Sequence, residues 1–574
     1  MRKCGLIGLA LVVPGGLGAV GTVQAADTSS KTPDYGVLAS TATPKGKKAP
    51  VDCHAPDAPY KSYDCLDAYL GDGFFERLVN YYKLEMGHEG PPADPNAPPG
   101  RRAGWPDAAA TTPPFPFTEW PYGGATSLGV TRPSSADSPL MVALANTDFG
   151  KALNAGNMQI YGWINGGGNI STNTVKANGN SPAAYDYWPN HFQFDQAVLY
   201  FERLPDTVQT DHVDWGFRLS ALYGQNYRYT FSYGVMSYQL DGHNLDMGWD
   251  FPMVYGELYV PQIADGLLLR LGRFISVPDI EAQLAPNNYM YTHSMTYTFD
   301  NYTNEGLQST LALNKNWFLQ LGVTVGTEAA PWHWGQTVPN PFPNPVYSGN
   351  TVLKDPGATP SITAGVRWQS DNGWDNIYVV ADAINSGIWG YNNLQWTGIT
   401  WYHRIDSQWH FSWEMYTLGE NKVLNLNNSY VTGTIIPNGG FPFSTANGFA
   451  FNSPNGALCS NPNVLTCSAR DFATVLYLNY QFSPLDNISF RPEFFDDMQG
   501  QRTGVKTRYV DFGIGWQHWF SPQVEIRPEV TYYRALDAYA FNGNSNAGCP
   551  AACGSIAPTK KDALIASGDV IWHF

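Results

Sequence analysis

Residues Asn487–Asp497 read NISFRPEFFDD, and thirty-six residues on, Gln523–Tyr533 read QVEIRPEVTYY. Apolar side chains recur at every second position: Ile488, Phe490, Pro492 and Phe494 in the first stretch, Val524, Ile526, Pro528 and Val530 in the second. A period of two is the signature of a strand with one apolar and one polar face. The polar faces then hold Arg491, Glu493 and Asp497, and Glu525, Arg527 and Glu529. Between them Val510, Phe512, Ile514 and Trp516 alternate with Tyr509, Asp511, Gly513 and Gln517. Proline has no N–H for a ladder, so each Arg-Pro-Glu predicts a bulge or a weakened ladder position.

The same alternation starts near residue 157 and runs to the end. Runs of about ten residues begin near 157, 192, 213, 252, 267, 305, 316, 361, 376, 395, 408, 472, 487, 507, 523 and 562, which makes about sixteen strands. Odd strands lead into long Gly/Asn/Pro-rich loops, such as 170–191, 224–251, 326–360, 418–471 and 534–561. Even strands lead into tight turns, such as Asn314-Lys315-Asn316 and Asp406-Ser407. Long loops at one rim, short turns at the other and strands greasy on one side describe an all-β, transmembrane, antiparallel up-and-down barrel. No apolar run of 18 residues follows residue 25, so spanning helices are not expected.

The N-terminus carries Arg2 and Lys3, an apolar stretch and Val23-Gln24-Ala25, which reads as a signal peptide over 1–25 and implies export. Residues 26–150 form a Pro/Gly-rich, mostly irregular extension, periplasmic or plug-like, with one short helix over 65–86 where Leu66, Leu70, Phe74, Leu78 and Tyr81 recur at helical spacing. The barrel is assigned to 151–574. Six cysteines of the exported chain fall into close pairs, Cys53 with Cys65, Cys459 with Cys467 and Cys549 with Cys553, as local disulfides would in an oxidising compartment. The last strand, Asp562–Phe574, alternates to a terminal Phe574, the pattern read by the machinery that assembles outer-membrane barrels.

Three stretches resemble the β-barrel porin-2, OmpL-like family. They are DWGFRLSALYG at Asp214–Gly224, LGRF at Leu271–Phe274 with EAQLAPNNYMY at Glu281–Tyr291 after it, and the two Arg-Pro-Glu strands. The resemblance covers most of residues 150–574. It implies a pore in the outer membrane of a Gram-negative bacterium, with no catalytic residues. Where the family would place Gly-aromatic-Glu after Gly-Arg-Phe, this chain has Pro278-Asp279-Ile280-Glu281, and a later expected proline falls near Asn301.

A cation on the lipid face at mid-bilayer costs about 2–4 kcal/mol, so parity assigns charges to the lumen. The pore-lining candidates are Arg218, Arg367, Arg404, Arg491, Glu493, Asp511, Glu525, Arg527 and Glu529, with Tyr378, Tyr402, Tyr416 and Tyr509 as lumen aromatics. Arg270 and Arg273 lie three apart on one leucine-rich strand and should face opposite ways. The third long loop, 276–304, carries Asp279, Glu281 and Asp300. By analogy with sixteen-stranded porins it would fold inward as a constriction, its acids facing wall arginines. Loss of Arg2 and Lys3 leaves 31 basic and 49 acidic residues, a net charge of −18, which favours cations and disfavours nucleic acid.

These features point to passive diffusion of small hydrophilic solutes or ions, with a sugar-type channel as the alternative. A loop-based adhesin or a barrel enzyme ranks lower. No Gly-x-Ser-x-Gly elbow occurs, and His410 and Glu414 share parity but sit roughly 13 Å apart along a strand. No cofactor-binding or metal-ligating set is legible. The expected partners are membrane lipid, the solute and the assembly machinery, with homo-oligomerisation left open.

Overall fold

The computed structural model describes residues 70–85 and 138–574, except 184, 187, 208, 231, 242, 244, 276–278, 341–351, 355–357, 373, 390–392, 407, 436–455, 484–485, 522 and 545–555. The proposed signal peptide and the pairs Cys53–Cys65 and Cys549–Cys553 lie outside these residues.

Sixteen antiparallel strands follow one another around a closed sheet. They are β1 (Met158–Ser171), β2 (Phe192–Arg203), β3 (Asp214–Gly224), β4 in two segments (Gly248–Asp250 and Val254–Val260), β5 (Leu267–Ile275), β6 (Thr303–Ala312), β7 (Trp317–Thr327) and β8 (Ser361–Gln369). The second half comprises β9 (Asp375–Ile384), β10 (Trp396–Arg404), β11 (Trp409–Leu424), β12 (Thr466–Ser483), β13 (Asp486–Asp497), β14 (Thr507–Ser521), β15 in two segments (Val524–Ile526 and Glu529–Ala535) and β16 (Asp562–His573).

Each strand pairs with its neighbours in sequence, and β1 pairs with β16, so the sheet has no free edge. The seam extends to the terminal residue. Phe574 donates its N–H to Gly162 O at 2.9 Å and accepts from Gly162 N. A Cβ at Gly162 would lie 2.0 Å from Val198 O, which is why the seam needs glycine there.

The alternation read from the sequence is the alternation of burial. In β13, Asn487, Ser489, Arg491, Glu493, Phe495 and Asp497 are buried, while Ile488 and Phe490 are exposed. In β14, Phe512, Ile514 and Trp516 are exposed and Asp511, Gly513 and Gln517 buried. Exposed apolar side chains on a closed barrel form the surface that lipid covers.

One boundary and one pair of side chains differ from the sequence reading. The loop expected over 418–471 is shorter, because β11 and β12 run on as a paired ribbon to Leu424 and Thr466. The alternation was hidden by a bulge between Glu420 and Val423, where Lys422 takes φ 57°. Arg270 and Arg273 do not face opposite environments, since both are buried. Between them Gly272, at φ 140°, disturbs the alternation, and a Cβ there would meet Val254 O at 2.2 Å. Arg270 pairs with Glu257 at 2.7 Å and Arg273 with Asp250 at 2.8 Å.

Neither proline produces a bulge, but each weakens the ladder. Pro492 stays in register with Phe512 of β14, whereas the β12 ladder is interrupted between Leu478↔Phe490 and Val475↔Glu493. At Pro528 both ladders thin without a change of register, from Ile526↔Val570 to Glu529↔Ser567 on the β16 side, while Trp516 N still donates to Pro528 O at 2.9 Å and Arg527 N to Asp569 O at 3.2 Å.

Before the barrel, the described residues form α1 (Phe74–Glu85), α2 (Pro139–Leu144) and α3 (Asp148–Ala155). Leu70 and Tyr81 pack with Val142, and Arg77 donates to Val142 O at 2.8 Å. Tyr82 donates to His573 O at 2.6 Å and meets the Trp572 ring edge-on, so α1 touches the barrel at the end of β16.

Candidate functional site

The interior is organised around the segment between β5 and β6. Residues 279–304 are buried almost throughout, and their polar atoms bond to the inner faces of strands far away in sequence. At one side Gln196 of β2 donates to Gln283 O at 2.8 Å and accepts from Ala285 N at 3.1 Å, and Tyr291 donates to Asp195 at 3.1 Å. At the other, Asn301 donates to Asp382 of β9 at 2.6 Å. The segment crosses the interior from wall to wall.

The Arg-Pro-Glu strands hold its middle. In β13, Arg491 donates to Thr292 O at 2.6 Å, and Glu493 accepts from the Met295 N–H at 2.9 Å and from Thr296. In β15, Arg527 donates to Ala285 O at 2.6 Å and Asn288 O at 3.0 Å, and Glu529 accepts from Thr292 N at 3.1 Å and from the Thr292 hydroxyl. A guanidinium supplies only donors and a carboxylate only acceptors, so the pair satisfies both kinds of loop backbone group that a barrel interior would otherwise strand. Two-residue spacing puts both charges of each pair on the inner face, with proline between them on the outer.

The wall charges are also paired among themselves. Arg527 makes a two-pronged contact with Asp569 of β16, while Arg491 lies 3.7 Å from Asp511 of β14. Arg218 donates to Glu202 at 2.7 Å. Glu525 accepts from Gln517 at 2.7 Å, and Arg367 lies 3.7 Å over the Phe318 ring. Arg404 sits apart from the others. It is only half-buried at the short-turn rim, where it donates to Asp406 O at 3.0 Å.

Of the three loop acids, Glu281 accepts from Ser294 N at 3.0 Å and from the Tyr477 hydroxyl. Asp279 and Asp300 do not look across at arginines as expected from analogy. Their oxygens lie within 4.8 Å of one another and of a Glu414 oxygen on β11. The wall arginines instead hold loop carbonyls, and Arg502 does the same for Phe299 O at 2.9 Å. Two of the four lumen tyrosines are committed too: Tyr416 donates to Thr296 O and Tyr509 to Thr503 Oγ1. His410 is buried between the rings of Tyr289 and Tyr402.

Sequence reasoning named Asp195, Gln196, Asp382, Glu414, Arg502 and Asp569 for no binding role, though all face the loop or brace what holds it. Inward parity was their only local signal, and the partner that makes them matter is distant in sequence.

In the long ribbon after β11, Cys459 and Cys467 are joined by a disulfide with Cα atoms 6.1 Å apart.

Comparisons with known proteins agree with this architecture. A search of curated protein sequences finds no match. Among solved structures, an anion-selective porin from Comamonas acidovorans is similar at 10% identity, covering 73% of this chain and 99% of that one, with a TM-score of 0.42. The outer-membrane channel DcaP of Acinetobacter baumannii is similar at 8% identity, with coverages of 73% and 97% and a TM-score of 0.40. These likenesses carry no argument; the strand ladder establishes the barrel by itself. The family model described as "Putative beta-barrel porin-2, OmpL-like" matches residues 157–559. With the barrel spanning those residues, the chain belongs to the β-barrel porin-2, OmpL-like family.

Proposed function

We propose that this porin is an outer-membrane channel for passive diffusion of small hydrophilic solutes, cation-preferring, with the segment between β5 and β6 as its constriction. The observation that carries the reading is a closed sixteen-strand wall, apolar outside and charged inside, with a loop bonded across its interior. Cation preference is supported by the interior charge. Among the described barrel residues, 21 buried Asp and Glu side chains stand against 8 buried Arg. Charge inside the barrel acts on permeating ions, whereas charge on exposed loops is screened over roughly 8–10 Å in physiological salt.

Residues 279–304 are buried almost throughout, which supports a narrow passage beside them. Two of the four tyrosines that would stack on a sugar direct their hydroxyls to the loop and to a neighbouring threonine, which disfavours the sugar-type alternative. Export by the 1–25 signal and assembly through the strand ending at Phe574 complete the reading. Single-channel recording of the purified chain in a planar bilayer under a salt gradient tests it. Small, cation-selective steps are expected; absence of conductance would sink the channel, and anion selectivity would sink the preference.

A further inference from the structure

Asp279 and Asp300 come from the two ends of the inward loop, and Glu414 comes from the wall strand β11, yet one oxygen of each lies within 4.8 Å of the others. All three side chains are at most 2% exposed. Each has a use for only part of its carboxylate. Glu414 Oε2 accepts from Ile280 N at 2.9 Å and Asp300 Oδ1 from Asn301 N at 2.6 Å. Glu414 Oε1, Asp300 Oδ2 and Asp279 Oδ2 have no hydrogen-bond partner. Oxygens that only accept cannot satisfy one another; something positive has to lie between them.

A second observation comes from Tyr297. It is 1% exposed, its hydroxyl has no hydrogen-bond partner, and it stands within electrostatic reach of Asp279, Glu281 and Asp300. A buried hydroxyl without a partner, in reach of the same carboxylates, is a further unsatisfied polar atom of this region of the interior.

Asp279 and Asp300 meet as Asp471 does with Asp497, where a single shared proton satisfies the pair, but Glu414 adds a third carboxylate that one shared proton does not satisfy. Three converging carboxylates carry three charges. A divalent cation together with the Arg502 guanidinium, which is bonded to Phe299 O and within reach of the Asp300 charge, balances them. An all-carboxylate oxygen set is the choice of hard cations. Calcium takes six to eight oxygens in flexible geometry, whereas magnesium demands a near-ideal octahedron and keeps several of its waters, so three carboxylates from a loop and a wall strand suit the larger ion.

We propose that Asp279, Asp300 and Glu414 bind one calcium-class divalent cation that fastens both ends of the inward loop to β11. Water or loop carbonyls complete the shell. This rests on the position of the loop and not on conduction, so the two readings fail separately.

The test is calorimetric titration of the EDTA-stripped, detergent-purified full chain with calcium chloride at pH 7.5, with terbium luminescence excited through tyrosine as a second readout. Saturation near one ion per chain is expected, with magnesium the weaker competitor. Asp279→Asn, Asp300→Asn and Glu414→Gln should each weaken binding by at least about tenfold, while Asp537→Asn on an outer loop should leave it unchanged. No saturable calcium binding by the unmodified chain would overturn the site and leave shared protons as the account of the cluster. So would binding that survives all three substitutions. The unmodified chain decides the question even if a variant does not fold.

Discussion

The two Arg-Pro-Glu stretches are alike in sequence and different in what their parts hold. In β13 the strand runs unbroken beside β14, Arg491 makes only a long contact with its wall acid, and Glu493 accepts at the start of the helical turn Met295–Thr298. In β15 the strand is interrupted at the proline, Arg527 is locked to Asp569, and the same guanidinium reaches two loop carbonyls. Both charges of each motif reach the loop, but the first adds a carboxylate contact at a helical turn and the second a guanidinium that spans two carbonyls. One motif, placed on strands separated by a single neighbour, thus holds adjoining stretches of one loop segment that meet at Thr292.

The largest expected effect follows from that difference. Arg527→Met strands Asp569 and two loop carbonyls in the interior, and removing one partner of a buried pair costs about 3–5 kcal/mol. Arg491→Met, whose wall contact is 3.7 Å, should cost clearly less. Urea unfolding of both variants in micelles, followed by tryptophan fluorescence, checks the order; equal losses would erase the distinction drawn above.

Next come the carboxylates. Glu493→Gln and Glu529→Gln keep shape but convert charge-assisted bonds to neutral ones, at about 1–3 kcal/mol each. If the loop constricts the channel, the double variant should raise single-channel conductance. Unchanged conductance in a folded double variant would show that the loop's grip on these strands does not set the passage.

The prolines should matter less. Pro492→Ala restores an N–H beside the interrupted β12 ladder and should shift stability by no more than about 1 kcal/mol. Slower amide exchange at Leu476 and Tyr477 would report the repaired ladder, and unchanged exchange there would mean the gap has another cause.

The smallest effect belongs to the strand between the motifs. On its exposed end Arg508 pairs with Asp537 at 2.8 Å, and its hydrogen bonds hold the Asp537 carboxyl down at about 2. A lowered carboxyl pKa gives stability that is present above the ordinary aspartate range and is lost as pH falls toward 2. Because the pair is half exposed, Asp537→Asn should change the unfolding free energy at neutral pH by less than about 0.5 kcal/mol.

Much of the wall was legible because lipid enforces it. Ile488, Phe490, Phe512 and Ile514 face outward for a reason each strand states alone: an apolar side at every second residue. The interior charges Arg491, Glu493, Arg527 and Glu529 could be placed by the same parity. Their partners could not, since Thr292 lies 199 residues from Arg491 and Ala285 lies 242 from Arg527. The expectation that Asp279 and Asp300 face arginines failed for the same reason. Nothing local says that Glu414, rather than a cation, stands opposite them.

By itself the sequence determined the barrel, its strand number, the face of most wall residues and the family, because alternation and loop rhythm are short-range and the membrane rejects a misplaced charge. Only the tertiary structure decided that the two prolines weaken the ladder without a bulge, that Gly272 buries both Arg270 and Arg273, and that the Arg-Pro-Glu strands clamp a loop. Those outcomes depend on which distant backbone groups need partners once water has been excluded from the interior.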